Sequence, residues 1–167
     1  MHDELTKTDL EKMQAELDER RLKLMPELIE EVKRTRAFGD LSENYEYKAA
    51  KQAQNRNKSR IRYLEKMIES AKLIEDTSAA DEVGLYDKVE VYMEEDEETM
   101  TVQVVTTVRC DPLQGLISKE SPLGEKLLGK HVGDRFHVQV NENYSYTAEV
   151  RKIEKGSDDG SAGLLQY

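Results

Sequence analysis

The sequence predicts an α+β chain in which a long antiparallel α-helical coiled-coil hairpin is followed by an antiparallel β domain with a short helix. Three observations carry this. Apolar residues recur at helical spacing in two successive runs, residues 10–32 and 47–71. A glycine-centred break, Phe38-Gly39-Asp40-Leu41-Ser42-Glu43, separates the runs. Beyond about residue 81 the period changes from helical to alternating, with β-branched residues enriched.

The first helix is predicted from Thr8 to about Arg36, where Leu10, Met13, Leu17, Leu24, Leu28 and Val32 form one apolar stripe. Thr8 or Asp9 can cap its start. Pro26 lies inside it, and the missing N–H predicts a kink or a short break there. The second helix is predicted from about Ser42 to Ile74. Its residues Tyr47, Ala50, Gln54, Asn57, Ile61, Leu64, Ile68 and Ala71 alternate by three and four, which is a coiled-coil seam. Gly39 can take the left-handed conformation that closes one helix, and Asp40 can open the next. Roughly 30 residues per arm make a rod on the order of 45 Å. Polar Gln54 and Asn57 interrupt the seam nearer the turn, where they cost stability and can fix register.

In the β domain, Val89, Val91 and Met93 interleave with Lys88, Glu90 and Tyr92 in the first strand. An acidic turn, Glu94-Glu95-Asp96-Glu97-Glu98, leads into a strand over residues 100–108. Further strands are expected at Leu116-Ile117-Ser118, Arg135 to Val140 and Tyr144 to Ile153, the last two joined by the turn Asn141-Glu142-Asn143. Ser121 to Gly129 reads as a short helix with Ser121 as N-cap, Pro122 at its first position and Gly129 at its end. The domains are therefore placed at 1–77, with an acidic tip near 39–44, and at 81–155. The Gly, Ser and Asp composition of 156–167 predicts a flexible tail.

Charge separates the halves. Residues 1–77 carry 16 basic and 17 acidic side chains, whereas residues 78–167 carry 9 and 18. The net charge of −10 argues against generic binding of duplex DNA, which needs a basic surface. Yet Lys33 to Lys66 holds ten basic residues against Asp40, Glu43, Glu46 and Glu65, so a basic zone surrounds a small acidic spot. The single cysteine, Cys110, can form neither an internal disulfide nor a cysteine-based zinc site. His131 and His137 have no acidic or cysteine partner at ligand spacing and read as ordinary surface or core residues. With no stretch of about 18 apolar residues and no signal-peptide pattern at the start, a cytoplasmic protein without membrane contact is expected.

Gly39-Asp40-Leu41-Ser42-Glu43-Asn44-Tyr45-Glu46-Tyr47-Lys48-Ala49-Ala50 resembles the tip signature of the GreA/GreB transcription elongation factors, and Met25-Pro26-Glu27-Leu28-Ile29 is similar to the segment that precedes it. Leu116-Ile117-Ser118 with Ser121-Pro122-Leu123-Gly124, and Leu128-Gly129-Lys130 with Gly133-Asp134, match in the same order. The likeness covers roughly residues 5–154. It implies a β domain similar to FKBP-type prolyl isomerases and a monomeric accessory factor that enters the secondary channel of bacterial RNA polymerase. There it would stimulate the polymerase's own cleavage of backtracked RNA at the nascent 3′ end, without being an enzyme itself. The resemblance places Asp40 and Glu43 on a Mg²⁺ ion shared with the polymerase and bound only in the complex. Leu41 and Tyr47 would support the tip, and Asn44 would hold the turn. Arg36, Lys51 and Arg56 would contact the RNA, and Glu120, Ser121 and Pro122 would grip the channel rim. Tyr45 departs from the small residue common at this place in the family.

Plainer readings stand beside these. Asp40 and Glu43 also fit a capping box that needs no metal. The basic run fits the solvated flank of a coiled coil, although seven basic residues from Lys48 to Lys66 against Glu65 alone is an uneven flank. A channel-binding regulator that inhibits without stimulating cleavage is a second reading. A prolyl isomerase or coiled-coil chaperone is a third, and the isomerase would need an aromatic-lined pocket.

Overall fold

The computed structural model of the chain describes residues 3–39 and 43–166. Asp40, Leu41 and Ser42 lie outside them. The chain divides into two compact units, residues 10–72 and residues 1–9 with 73–167. The class is α+β, a helical hairpin and a sheet domain.

In the hairpin unit, α1 (Lys7–Glu19) runs into a π-helical stretch, Arg20–Leu24, and then α2 (Met25–Arg36); α3 (Tyr45–Ser70) returns. Interhelical partners step apart in opposite directions, Thr35 with Asn44, Arg20 with Asn57 and Glu16 with Arg60, so the arms are antiparallel. Pro26 produces neither an end nor a break. It sits in the first turn of α2, and the turn before it widens so that Met25 N–H donates to Arg20 O. An α-helical register would press the proline ring on a carbonyl four residues back, and the wider turn relieves this. Asn57 completes the arrangement: its side-chain amide donates to Arg20 O at 3.3 Å and accepts from the Arg20 guanidinium at 2.9 Å.

The seam of α3 departs from the predicted one. Ala50, Gln54, Asn57, Leu64 and Met67 are buried together with Arg60, whereas Tyr47, Ile61, Ile68 and Ala71 are only half-buried. A helix of 3.6 residues per turn drifts away from a strict 3.5 repeat, and here a charged residue takes the inward place. The Arg60 guanidinium binds both oxygens of Glu16, at 2.8 and 3.2 Å. Burial opposes ionisation of Glu16, but hydrogen bonds and charge from Arg60 and Arg20 outweigh it and hold the carboxyl below its usual range. On the first arm Met13, Leu17, Val32 and Thr35 are buried, while Leu10, Leu24 and Leu28 are half-buried.

β1 (Glu4–Leu5) pairs with β2 (Lys72–Leu73) in a two-stranded sheet, with Ile74 N–H donating to Leu5 O at 2.9 Å. Then come β3 (Lys88–Met93), β4 (Glu98–Val105), β5 (Leu116–Ser118), α4 (Pro122–Leu127), β6 (Arg135–Asn141) and β7 (Tyr144–Glu154). The sheet order is β5-β4-β3-β7-β6. It is not wholly antiparallel: β4 and β5 pair in parallel, because residues 106–115 cross back through two 3₁₀ turns before β5 begins. Inward-facing residues of the strands, Val89 and Val91, Val102 and Val104, Val138, Ala148 and Val150, meet Leu123 and Leu127 of α4 in one apolar core.

Two boundaries differ from the sequence reading. Residues 1–9 belong to the β unit. Thr6, not Thr8 or Asp9, caps α1, in a reciprocal pair: Thr6 N–H donates to Asp9 Oδ2 at 2.8 Å and Asp9 N–H to Thr6 Oγ1 at 3.3 Å. Residues 156–166, expected to be a loose tail, are bonded to the domain. Gly156 N–H donates to Asp87, and Leu165 N–H donates to Val108 O at 2.7 Å. Fully buried Arg109 holds Asp158 through two 2.8 Å bonds, Ala162 O at 2.6 Å and Asp9 at 3.1 Å. A buried guanidinium needs such partners, which tie a polar segment down despite its composition.

Candidate functional site

The end of the hairpin is assembled by Asn44. α2 finishes in a turn in which Phe38 N–H donates to Thr35 O at 3.2 Å, and Gly39 follows with φ +104°, a conformation that favours glycine. Asn44 precedes α3 in extended conformation, and its side-chain oxygen accepts from Tyr47 N–H at 3.0 Å. Its amide nitrogen donates to Thr35 O at 2.6 Å, so one side chain caps α3 and ties it to α2. This corrects the capping-box reading of Asp40 and Glu43. The helix begins two residues after Glu43, which leaves that carboxylate exposed and outside the cap geometry. Asp40 and Leu41 lie outside the described residues.

Cations and aromatic rings pair around this tip. The Arg36 guanidinium lies 5.7 Å from the Tyr47 ring centroid and donates to the Tyr47 hydroxyl at 3.4 Å; that bond, chiefly, lowers the phenol below its ordinary pKa. Arg34 lies 5.2 Å from the Phe38 ring and also binds Glu31. The Lys48 ammonium lies 5.5 Å from the Tyr45 ring, and Tyr45 is 79 % exposed. Tyr45, Tyr47, Lys48, Lys51, Gln52 and Asn55 line a shallow open depression along α3. Among the expected RNA contacts, Lys51 joins this depression, with its ammonium 3.3 Å from Gln54 Oε1, and Arg36 reaches it through Tyr47. Arg56 is exposed further along α3, and Arg60 is withdrawn into the seam. Sequence reasoning missed the pairing of Arg34 with Phe38 and of Lys48 with Tyr45. The i to i+3 spacing of Tyr45 and Lys48 on α3, and the i to i+4 spacing of Arg34 and Phe38 across the end of α2, were the available signals.

On the β unit, Glu120 and Ser121 lie in the turn between β5 and α4, and Pro122 is the first residue of α4. Ser121 Oγ donates to Ser118 O at 2.6 Å and accepts from Gly124 N–H at 3.0 Å, while Thr107 Oγ1 donates to Glu120 at 2.7 Å. Gly124 packs so closely that a Cβ would fall 2.1 Å from Ser118 O. Glu120 and Pro122 face solvent. His131 and His137 are exposed, His131 near Asp81 and Asp134. Burial raises the Cys110 thiol above its usual pKa. Phe136, Tyr86 and Tyr146 are buried in the core, and the depression beside residues 74–78 and 82–85 has no aromatic lining, which gives an isomerase reading no pocket there.

A helical hairpin with an exposed carboxylate and three cation–aromatic pairs near its tip, followed by a sheet domain, defines the class of the chain. The chain belongs to the GreA/GreB family of transcription elongation factors: the family's N-terminal domain matches residues 4–73 and its GreA/GreB C-terminal domain residues 77–155. Transcription elongation factor GreA of Mesoplasma florum is 39% identical over 150 residues, 89% of this chain and 96% of that one. GreA of Thermotoga neapolitana is 42% identical over 136 residues, 81% of this chain and 87% of that one. The crystal structure of GreA factor homolog 1 (Gfh1) of Thermus thermophilus aligns with a TM-score of 0.41 at 28% identity, covering 91% of this chain and 98% of that one. Among the described residues no helix is long and apolar enough to cross a membrane.

Proposed function

We propose that this chain acts in the cytoplasm as a monomeric accessory factor that inserts its hairpin tip into the secondary channel of bacterial RNA polymerase and stimulates the polymerase's own cleavage of backtracked nascent RNA. The supporting observation is Glu43, an exposed carboxylate beside a helix start that Asn44 already caps, within a ring of cation–aromatic pairs. Asp40 and Glu43 are the catalytic pair, since hard cations such as Mg²⁺ prefer carboxylate oxygens. Two carboxylates do not make a full coordination shell, and the polymerase would supply the remaining ligands. When bound there, Mg²⁺ supplies activation of water and stabilisation of the leaving oxygen.

The chain's own residues position the reactants. Arg36, Lys51 and Arg56 neutralise phosphates of the extruded 3′ segment, as cationic grooves do for single-stranded RNA. Leu41 and Tyr47 support the tip, and Asn44 fixes Glu43 relative to α2. Glu120, Ser121 and Pro122 meet the channel rim. The test is a stalled, backtracked elongation complex with Mg²⁺. The wild-type chain should release short 3′ RNA fragments, and the Asp40→Asn, Glu43→Gln double variant should bind the complex and release none. Equal cleavage by the double variant would overturn the tip assignment.

A further inference from the structure

We infer that Tyr45, with Lys48, is a stacking platform for a single unpaired nucleobase of the RNA that the hairpin tip meets. The inference rests on the RNA-facing reading of the tip and names the part of the RNA that is held: a base, where Arg36, Lys51 and Arg56 take phosphates. Tyr45 is the first residue of α3, two positions from Glu43, and 79 % of it is exposed. An aromatic ring left so open gains little from its own fold. Lys48, one turn on, sets its ammonium 5.5 Å from the ring centroid, and most of the ring stays open to solvent. The depression that the ring borders carries a second ammonium, Lys51, and two side-chain amides, Gln52 and Asn55.

Single-stranded RNA fits this set of groups. Aromatic faces stack bases of any sequence, ammonium groups take the adjoining phosphates, and amides can bond base edges. Residues 33–66 carry ten basic and four acidic side chains, a local excess of positive charge in an otherwise acidic chain, which complements a phosphate backbone and opposes a basic or apolar protein segment. A base seated on Tyr45 next to Glu43 would register the RNA against the tip carboxylate. Tyr45 is therefore a positioning residue.

Backtracked complexes assembled with a base-bearing nucleotide or with an abasic ribose in the extruded RNA test this by affinity for the full-length chain, read separately from cleavage. The wild-type chain should bind the base-bearing complex about tenfold tighter than the abasic one, the range expected of one stacked base. Tyr45→Phe should keep that preference. Tyr45→Ala, with unchanged helical content, should lose it while binding the abasic complex as the wild type does. No preference in the wild type, or an intact preference in Tyr45→Ala, would overturn the platform. Base-dependent binding without any cleavage would leave the platform standing and remove the cleavage role; cleavage without base dependence would do the reverse.

Discussion

In the β unit most of the interior is apolar, a valine-rich sheet closed by Leu123 and Leu127, and its buried polar side chains are few beside it: Asp87, Thr106 and Arg109 with its partner Asp9. In the hairpin, three of the six buried positions of α3 are polar: Gln54, Asn57 and Arg60. Apolar packing is non-directional and stabilises many related arrangements, whereas each polar pair is satisfied in one register only. The hairpin has given up some stability for a fixed alignment of its arms. That suits a unit whose working groups sit at its far end, since a slip of one residue would turn Glu43 to another side.

Experiments can break this contrast or sharpen it, and the largest effect should come where a charge is left buried. Arg109→Leu strands Asp9 and Asp158 and should destabilise the β unit by about 3–5 kcal/mol in chemical denaturation. A loss under about 1 kcal/mol would mean the termini are held by other contacts. Leu127→Ala, at a fully buried site in the apolar core, should cost about 3 kcal/mol and leave RNA cleavage by the surviving folded protein unchanged.

In the hairpin the order of effects should invert. Arg60→Leu should cost only about 1–2 kcal/mol of helix stability yet slow cleavage severalfold, because the register loosens. It should also change the acid response. The Glu16 carboxyl is lowered in the folded state, so its contribution is present above the unfolded carboxylate pKa and is lost as pH falls through the folded one. Without Arg60 the folded pKa rises toward the unfolded one, so the acid-dependent loss of stability, followed by circular dichroism, should be smaller and complete at higher pH. The smallest stability change, about 1 kcal/mol, is expected for Asn44→Ala, accompanied by a larger loss of cleavage than of stability. Equal losses in both would show that Asn44 acts only as a helix cap.

What the sequence made legible follows from how far the deciding partner lies along the chain. The two arms, the strand alternation at Val89 and Val91 and the short helix behind Ser121 are written in local periodicity and capping chemistry. Arg109 and the segment around Asp158 were not legible, because the partners are 49 residues apart and a Gly, Ser and Asp stretch looks the same whether or not a buried cation holds it. Arg60 was hidden by its charge, which apolar pattern matching places on the surface. At the site, the carboxylates and the basic zone were readable as residue types. That Asn44, and not Asp40, caps α3 was not, since both are good caps and only the start of the helix decides between them.

The π-helical stretch before Pro26 also says where the chain can change length. A turn closed by five-residue bonds holds one residue more than an α-turn, so a one-residue deletion within Arg20–Leu24 can be absorbed by reversion to regular helix, with α1 and α2 still in phase. The same deletion in α3 has no such slack and would rotate everything beyond it by about 100°. Related chains that differ by a single residue in the first arm should differ here, with the spacing from Pro26 to the tip kept.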